Sequence, residues 1–233
     1  MSEHIFRQFD QELNHLRAKV LEMGGAVEEQ MANAISALIE QDRELAEKVV
    51  YGDAPINRLE REIDEETVHL IVRRQPAASD LRLLIASMKI TTDLERIGDE
   101  ANKIGRMAKL ILEGDRLTRP QFSEIRAMAM YARDMLRKAL DAYARLDITD
   151  AVELTRDDQA IDESFRFVMR GLVTFMLEDP RLISLALEVL WVAKALERVG
   201  DHTKNIGEYI IYAAKGEDVR HTSLANLEKD AFE

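Results

Sequence analysis

The stretch that decides the organisation of this chain is Glu-Arg-Ile-Gly-Asp at residues 95–99, which returns as Glu-Arg-Val-Gly-Asp at residues 197–201. The repetition extends beyond these five residues, because Leu94, Ile104 and Gly105 recur at the same offset as Leu196, Ile206 and Gly207. Upstream the two copies align at an offset three residues larger, where Ala37, Asp42, Ala46, Asp53 and Ile56 correspond to Ala142, Asp147, Ala151, Asp158 and Ile161. The chain therefore contains a duplicated unit, and its second copy lacks three residues, which fits a shortened turn.

The composition predicts a chain built from helices. Its 233 residues include only 4 Pro and 10 Gly, and Ala, Leu, Glu, Arg and Met, which favour helices, are abundant. A repeat of about a hundred residues favours two similar units. The absence of Cys excludes disulfides, cysteine nucleophiles and thiolate metal sites, so oxygen or imidazole ligands would have to hold any metal.

The charge and the hydropathy pattern narrow the class of protein further. A net charge of -12 without a basic cluster argues against direct binding of nucleic acid. The N-terminus lacks a basic region followed by an apolar run, and no apolar stretch reaches the roughly 18 residues that a transmembrane helix needs. We therefore expect a soluble, cytoplasmic protein without a transmembrane segment.

Apolar residues spaced by three and four predict six helices, three in each copy. In the first copy the predicted helices cover about 5–41, then 42–75 with Asp42 at the start, then 79–114 with Ser79 as the cap. In the second copy one helix follows Pro120 to about 146, the next ends at a turn at 179–180, and the last covers 182–213. Short turns between these helices predict an all-α fold of two pseudo-symmetric antiparallel three-helix bundles. The predicted domains are residues 1–115 and 116–216, followed by a polar tail at 217–233.

Each copy of the repeated motif also places two glycines seven residues apart inside a long predicted helix. These are Gly98 with Gly105 in the first copy, and Gly200 with Gly207 in the second. A glycine in a helix interior costs about 1 kcal/mol relative to alanine. Some other interaction must offset that cost.

The motif carries two carboxylates four residues apart in each copy, so each pair shares one helix face. Residues equally far from the turn of an antiparallel hairpin lie opposite each other, which brings further oxygen-bearing side chains to the same level. The predicted first cluster comprises Glu95, Asp99, Asp53 and Asn57, and the predicted second cluster comprises Glu197, Asp201, Asp158 and Asp162. Such clusters need a cation or protons to offset their charge, and all-oxygen ligands suit Mg, Ca, Mn or a carboxylate-rich iron site. A metal site and a hydrogen-bonded acidic surface patch both remain open.

The sequence offers little support for catalysis. The histidines at positions 4, 15, 69, 202 and 221 form no triad with a nucleophile. His202 follows Asp201 but points about 100° away on a helix, so we expect it near the ligands or exposed. Di-iron bundle enzymes carry paired Glu-x-x-His motifs, whereas Glu12 with His15 lies far from the repeated motif and is not duplicated. A carboxylate-bundle metal enzyme and a metal-free helical scaffold are the alternatives to a regulatory protein.

Several segments together resemble the PhoU family, the accessory regulators of bacterial phosphate uptake. They are the duplicated motif, Gln-Pro-Ala-Ala-Ser-Asp-Leu-Arg at 75–82, Phe-Asp-Gln-Glu-Leu at 9–13, and Gly216 followed by Arg220 and His221. The resemblance covers essentially the whole chain. It implies two pseudo-symmetric three-helix bundles without enzymatic activity, in a cytoplasmic and commonly dimeric protein.

The resemblance also implies a function, partners and a cofactor. PhoU-like proteins repress the phosphate-starvation response by linking the ATPase of the phosphate ABC transporter to a phosphate-sensing histidine kinase. Some members carry multinuclear clusters of iron or of another metal such as Mn, Mg or Zn, on motifs that match Glu95 with Asp99 and Glu197 with Asp201. Because Asn57 departs from a carboxylate, the first site is expected to be poorer in negative charge than the second.

Overall fold

The structure, a computed structural model, describes residues 2–113 and 123–220, and its side chains are described from residue 8 onward. The helices are α1 (Ser2–Glu40), α2 (Arg43–Tyr51), α3 (Ala54–Arg74), α4 (Ala78–Glu113), α5 (Ser123–Arg145), α6 (Ile148–Glu178) and α7 (Ile183–Lys215). A short 3-10 turn at Pro180–Leu182 joins α6 to α7. No strand occurs within the described ranges, which confirms the all-α prediction.

The helices form two bundles that correspond to the two sequence copies. In the first bundle α1 packs against α2, α3 and α4, and in the second α5, α6 and α7 pack against one another. This confirms the predicted two-repeat helical bundle. The predicted domain boundary at 115/116, Gly114, Pro120 and most of the predicted tail lie outside the described residues. Among the helices that the structure describes, none combines the length and apolar character needed to cross a membrane.

The predicted second helix is wrong in one respect, because it is broken in the middle. Asp42 caps α2 as predicted, its Oδ1 accepting from the Leu45 N–H at 2.9 Å. The helix then ends at Gly52, and Pro55, which has no N–H to donate, lies in the first turn of α3. Asp157 and Ala160 hold the corresponding positions in the second copy, and α6 continues through them without a break.

Close helix packing explains the glycines of the repeated motif. A Cβ added at Gly105 would lie 2.8 Å from Val49 Cγ1 on α2, and one at Gly207 would lie 2.8 Å from the carbonyl oxygen of Ala151 on α6. At Gly200 the nearest atom would be Ile161 Cδ1, at 3.1 Å. Any larger side chain would push these helices apart, so the packing offsets the low helix propensity of glycine.

Helices α4 and α7 form the centre of the molecule and pack against each other in antiparallel orientation. Lys89 of α4 lies 5.1 Å from the ring of Tyr209 near the end of α7. Further along α4, Glu100 Oε1 lies 3.3 Å from Nε of Arg198, which comes before Tyr209 in α7. Both helices contribute buried residues to one continuous apolar core. Both copies of the repeated motif are therefore carried by the two central helices. Ser79, the predicted cap of α4, lies in its first turn, because the helix begins at Ala78.

Candidate functional site

The first acidic cluster lies between α3 and α4. Burial raises the pKa of Glu95, and the negative charges of Asp99, Glu60 and Asp53 raise it further. Burial also raises the pKa of Glu60, as do the charges of Asp64, Asp99 and Asp53. The structure thus brings Glu95, Asp99 and Asp53 together as predicted. It adds Glu60 and Asp64, which the sequence reasoning missed because neither belongs to the repeated motif.

Asn57 completes the first cluster. Its Nδ2 donates a hydrogen bond to Asp53 Oδ2 at 3.0 Å. Its Oδ1 is buried and has no hydrogen-bond partner. A buried acceptor without a donor costs about 1–3 kcal/mol, so this atom is suited to a ligand that supplies positive charge.

The second acidic cluster lies between α6 and α7. Asp158 is only 5 % exposed, and burial raises its pKa, as do the charges of Asp201 and Asp162. Burial also raises the pKa of Asp201, and the neighbouring charge of Glu197 adds to that shift. Asp201 is therefore close enough to interact with each of the other three residues predicted for this cluster.

Two lysines neutralise part of the second cluster. Lys204 Nζ donates to Asp158 Oδ2 at 2.6 Å, and Lys194 Nζ donates to Glu197 Oε2 at 2.5 Å. Burial lowers the pKa of Lys204, but the hydrogen bond to Asp158 and the nearby carboxylate charges outweigh it, so the net shift is upward. Lys204 therefore stays protonated beside Asp158.

The expectation that the first site is poorer in negative charge is wrong. The first cluster gains Glu60 and Asp64, whereas the second contains the charges of Lys194 and Lys204. Asn57 removes one negative charge from the first cluster, but Glu60 and Asp64, which lie outside the motif, add two.

The two clusters differ in how well they suit a metal. Across residues 2–113 and 123–220, no three His, Asp or Glu side chains are arranged to hold one ion. The oxygen donors of the first cluster, with the unpartnered Asn57 Oδ1, are nevertheless of the chemical type that a hard divalent cation prefers. The donors of the second do not fit one equally, because lysine ammonium groups already occupy Asp158 and Glu197.

His202 belongs to a polar contact between the two central helices. It is 8 % exposed, and its Nδ1 lies 2.8 Å from Asp93 Oδ1 on α4. Asn205 Nδ2 donates to the same oxygen at 3.3 Å. The expectation that His202 lies near the ligands or is exposed is therefore wrong, because antiparallel packing turns it toward α4. The sequence holds no signal for this contact, because Asp93 meets His202 and Asn205 of the other copy only through tertiary packing.

Comparison with known proteins identifies the relatives of this fold. The family model described as the PhoU domain matches residues 20–108 and 125–210, one match in each copy. A protein of Pseudomonas putida named phosphate-specific transport system accessory protein PhoU homolog is 48% identical over 227 residues, covering 97% of this chain and 88% of that protein. The phosphate-specific transport system accessory protein PhoU of Escherichia coli is 41% identical over 229 residues, covering 98% and 94%.

Two solved structures share the architecture over nearly the whole chain. The crystal structure of PhoU from Pseudomonas aeruginosa has a TM-score of 0.85 at 45% identity, covering 90% of this chain and 100% of that one. The phosphate transport system regulatory protein PhoU from Streptococcus pneumoniae has a TM-score of 0.83 at 29% identity, covering 91% and 99%. With matches in both copies and high identity over almost its entire length, this chain belongs to the PhoU family.

Proposed function

We propose that this protein is a cytoplasmic regulator of phosphate homeostasis that represses the phosphate-starvation response. It does so by bridging the ATPase subunit of the phosphate ABC transporter and the phosphate-sensing histidine kinase, and by modulating phosphate uptake. The observation that carries the proposal is the family match in both copies, together with relatives of nearly equal length that are named transport-system accessory proteins. The protein acts as an adaptor and not as an enzyme.

The regulatory part is tested in a strain whose own gene for this protein is deleted. With phosphate in excess, a reporter driven by a phosphate-starvation promoter should be strongly active in the deletion strain and silent when the gene is restored. Deleting the histidine kinase gene as well should silence the reporter, because the adaptor acts through the kinase. A reporter that stays silent in the single deletion strain would contradict repression by this protein.

The protein is proposed to be a homodimer, and an exposed apolar surface on the second bundle supports this. We call it the apolar stripe, and it consists of Met169, Val173 and Leu177 on α6 with Ile183, Leu187 and Trp191 on α7, all exposed. The contact between Lys194 and Phe165, 5.5 Å from ring centroid to Nζ, fixes a hairpin register that places the two rows opposite each other. A standard interface buries about 800 Å² on each partner, and six exposed apolar side chains that include a tryptophan supply a large part of such an area.

Sedimentation velocity tests this interface. Leu187→Glu and Trp191→Glu should each convert the dimer to a monomer, because a charge placed at the centre of an apolar interface loses its hydration without gaining a partner. Val68→Glu is the matched control, because Val68 is the exposed counterpart of Val173 in the first bundle. A dimer that survives both stripe variants would place the contact elsewhere.

The first acidic cluster is proposed to bind a metal, with iron, Mn, Mg or Zn as candidates. Glu95, Asp99 and Asp53 would supply carboxylate oxygens and Asn57 its unpartnered amide oxygen. The metal would offset the mutual repulsion of the carboxylates and tie α3 to α4, which gives it a structural purpose. Elemental mass spectrometry of untagged protein should find metal in the parent protein and none in Glu95→Ala/Asp99→Ala. Equal metal content in the parent and the variant would contradict this site.

A metal-free helical scaffold is the second candidate, because no three ligand side chains converge within the described residues. Partner binding by protein treated with a chelator separates the two, since a scaffold binds equally well without metal. The alternative of a carboxylate-bundle enzyme lacks such support. The sequence contains two Glu-x-x-His pairs, Glu12 with His15 and Glu66 with His69, and both glutamates are engaged by cations. Arg74 donates to both carboxylate oxygens of Glu12, at 2.8 and 2.7 Å, and Lys19 Nζ lies 2.7 Å from Glu66 Oε2.

A further inference from the structure

We propose that the two copies of the motif have diverged in how they neutralise their carboxylates. In the second copy the ammonium groups of Lys204 and Lys194 take the place of a metal ion, so this copy binds no divalent cation. Only the statement that the first copy keeps the metal rests on the function proposed above. The family resemblance assigns metal to both motifs, and the residues of the second do not fit that assignment.

The position of Lys204 carries the inference. Its Nζ lies 2.6 Å from Asp158 Oδ2, and Asp158 is the most deeply buried carboxylate of the cluster, at 5 % exposure. A cation that used Asp158 as a ligand would have to displace this ammonium group or lie beside it. The second arrangement would put like charges within a few ångströms in a poorly hydrated site, where their repulsion is strong.

Lys194 closes the other end of the second cluster. Its Nζ lies 2.5 Å from Glu197 Oε2, and the same Nζ lies 5.5 Å from the centroid of the Phe165 ring. A cation over an aromatic face is stabilised by the ring. Lys194 is thus held in place from two sides, and the outer carboxylate of the motif already has its cation.

The duplication itself supplies the control, because each of these positions has a counterpart in the first copy. Lys194 and Lys204 correspond to Thr92 and Asn102, and Phe165 and Met169 correspond to Glu60 and Asp64. At these four positions the second copy has two more positive charges and two fewer negative ones, and Asp162 in place of Asn57 returns one negative charge. The net difference is three units toward positive charge, which favours the replacement of an external cation by an internal one.

In the first copy the corresponding side chain leaves the cluster open. Asn102 Nδ2 donates to the carbonyl oxygen of Val50 at 3.1 Å, and its Oδ1 accepts from Arg106 Nε at 2.8 Å. Both contacts involve groups outside the acidic cluster. The buried Asn57 Oδ1 meanwhile has no partner. The first copy therefore retains an unfilled acceptor and a neutral residue at the position where the second copy has Lys204.

A Mn²⁺ titration of the full-length chain tests the inference. Electron paramagnetic resonance measures the free ion, and the number of bound ions is obtained by difference. Glu197→Gln/Asp201→Asn should leave the number of bound Mn²⁺ ions unchanged, and Glu95→Gln/Asp99→Asn should reduce it. A loss of bound Mn²⁺ on changing Glu197 and Asp201 would overturn the inference, because it would show a metal site in the second copy. If the chain binds no Mn²⁺ at all, the proposed first site fails, and the lysine variant described next decides the second-copy inference alone.

The converse experiment restores the residues of the first copy. Lys194→Thr/Lys204→Asn should gain one Mn²⁺ equivalent, and adding Asp201→Asn should abolish that gain. The same lysine variant should melt at a lower temperature than the parent in chelator and recover in Mn²⁺. A folded variant that gains neither Mn²⁺ nor thermal recovery would overturn the inference. If the variant does not fold, Lys204→Gln alone is used, which should show the same recovery in Mn²⁺, and its absence would count equally against the inference.

Discussion

Replacement of Gly207 by alanine tests the packing of the repeated motif. Alanine gains about 1 kcal/mol of helix propensity over glycine. The new Cβ would lie 2.8 Å from the carbonyl oxygen of Ala151 and 3.0 Å from Leu154 Cδ1. Since one of these atoms is backbone, α7 must move away from α6, and overpacking of this kind costs about 1–3 kcal/mol. The net result expected for Gly207→Ala is a loss of up to about 2 kcal/mol.

Gly25→Ala is the matched control, because Gly25 lies inside α1 and a Cβ there would meet nothing within 4 Å. This variant should gain the full propensity difference of about 1 kcal/mol. Differential scanning calorimetry should therefore show a melting temperature about 2–4 °C higher for Gly25→Ala than for the parent, and a lower one for Gly207→Ala. A stability gain for Gly207→Ala as large as that of Gly25→Ala would refute the argument that close helix approach requires the motif glycines.

Three further predictions concern residues that join helices. Tyr143→Phe should lower the free energy of unfolding by about 1–2 kcal/mol in urea titration, because the phenol shares a buried 2.6 Å hydrogen bond with Ser87. Burial raises the pKa of Tyr143 to about 12, so in an alkaline absorbance titration this tyrosine should ionise last. Glu12→Gln should lower the melting temperature at pH 7, because the hydrogen bonds from Arg74 lower the pKa of Glu12. That stabilisation is present above the ordinary pKa of glutamate and is lost as the pH falls through the lowered value, so the two proteins should converge in acid.

Much of the fold could be predicted because its signals are local. The apolar spacing identifies the long helices, and Asp42 caps α2 as its side-chain chemistry predicts. The break between α2 and α3 is missed because the apolar spacing continues from Val49 to Ile56 across it. Gly52 and Pro55 are the local signal for this break, since neither residue has the same type in the second copy.

The candidate site could be predicted only in part, since its character depends on residues from other turns and helices. Hairpin geometry correctly brings Asp53 near Glu95. The contributions of Glu60 and Lys204 follow from side-chain direction and burial, which the spacing of the motif does not report. A comparison of the two copies at every position around the motif, and not only within it, would have shown that Lys204 takes the place of Asn102.

Formation of a three-component complex tests the bridging claim most directly. Purified protein is mixed with the transporter ATPase subunit and with the cytoplasmic part of the histidine kinase, and the mixture is followed by sedimentation velocity. The account predicts one species that contains all three proteins and that is lost when this protein is omitted. Competition, in which the kinase displaces the ATPase from this protein, or the absence of binding to either partner would contradict it.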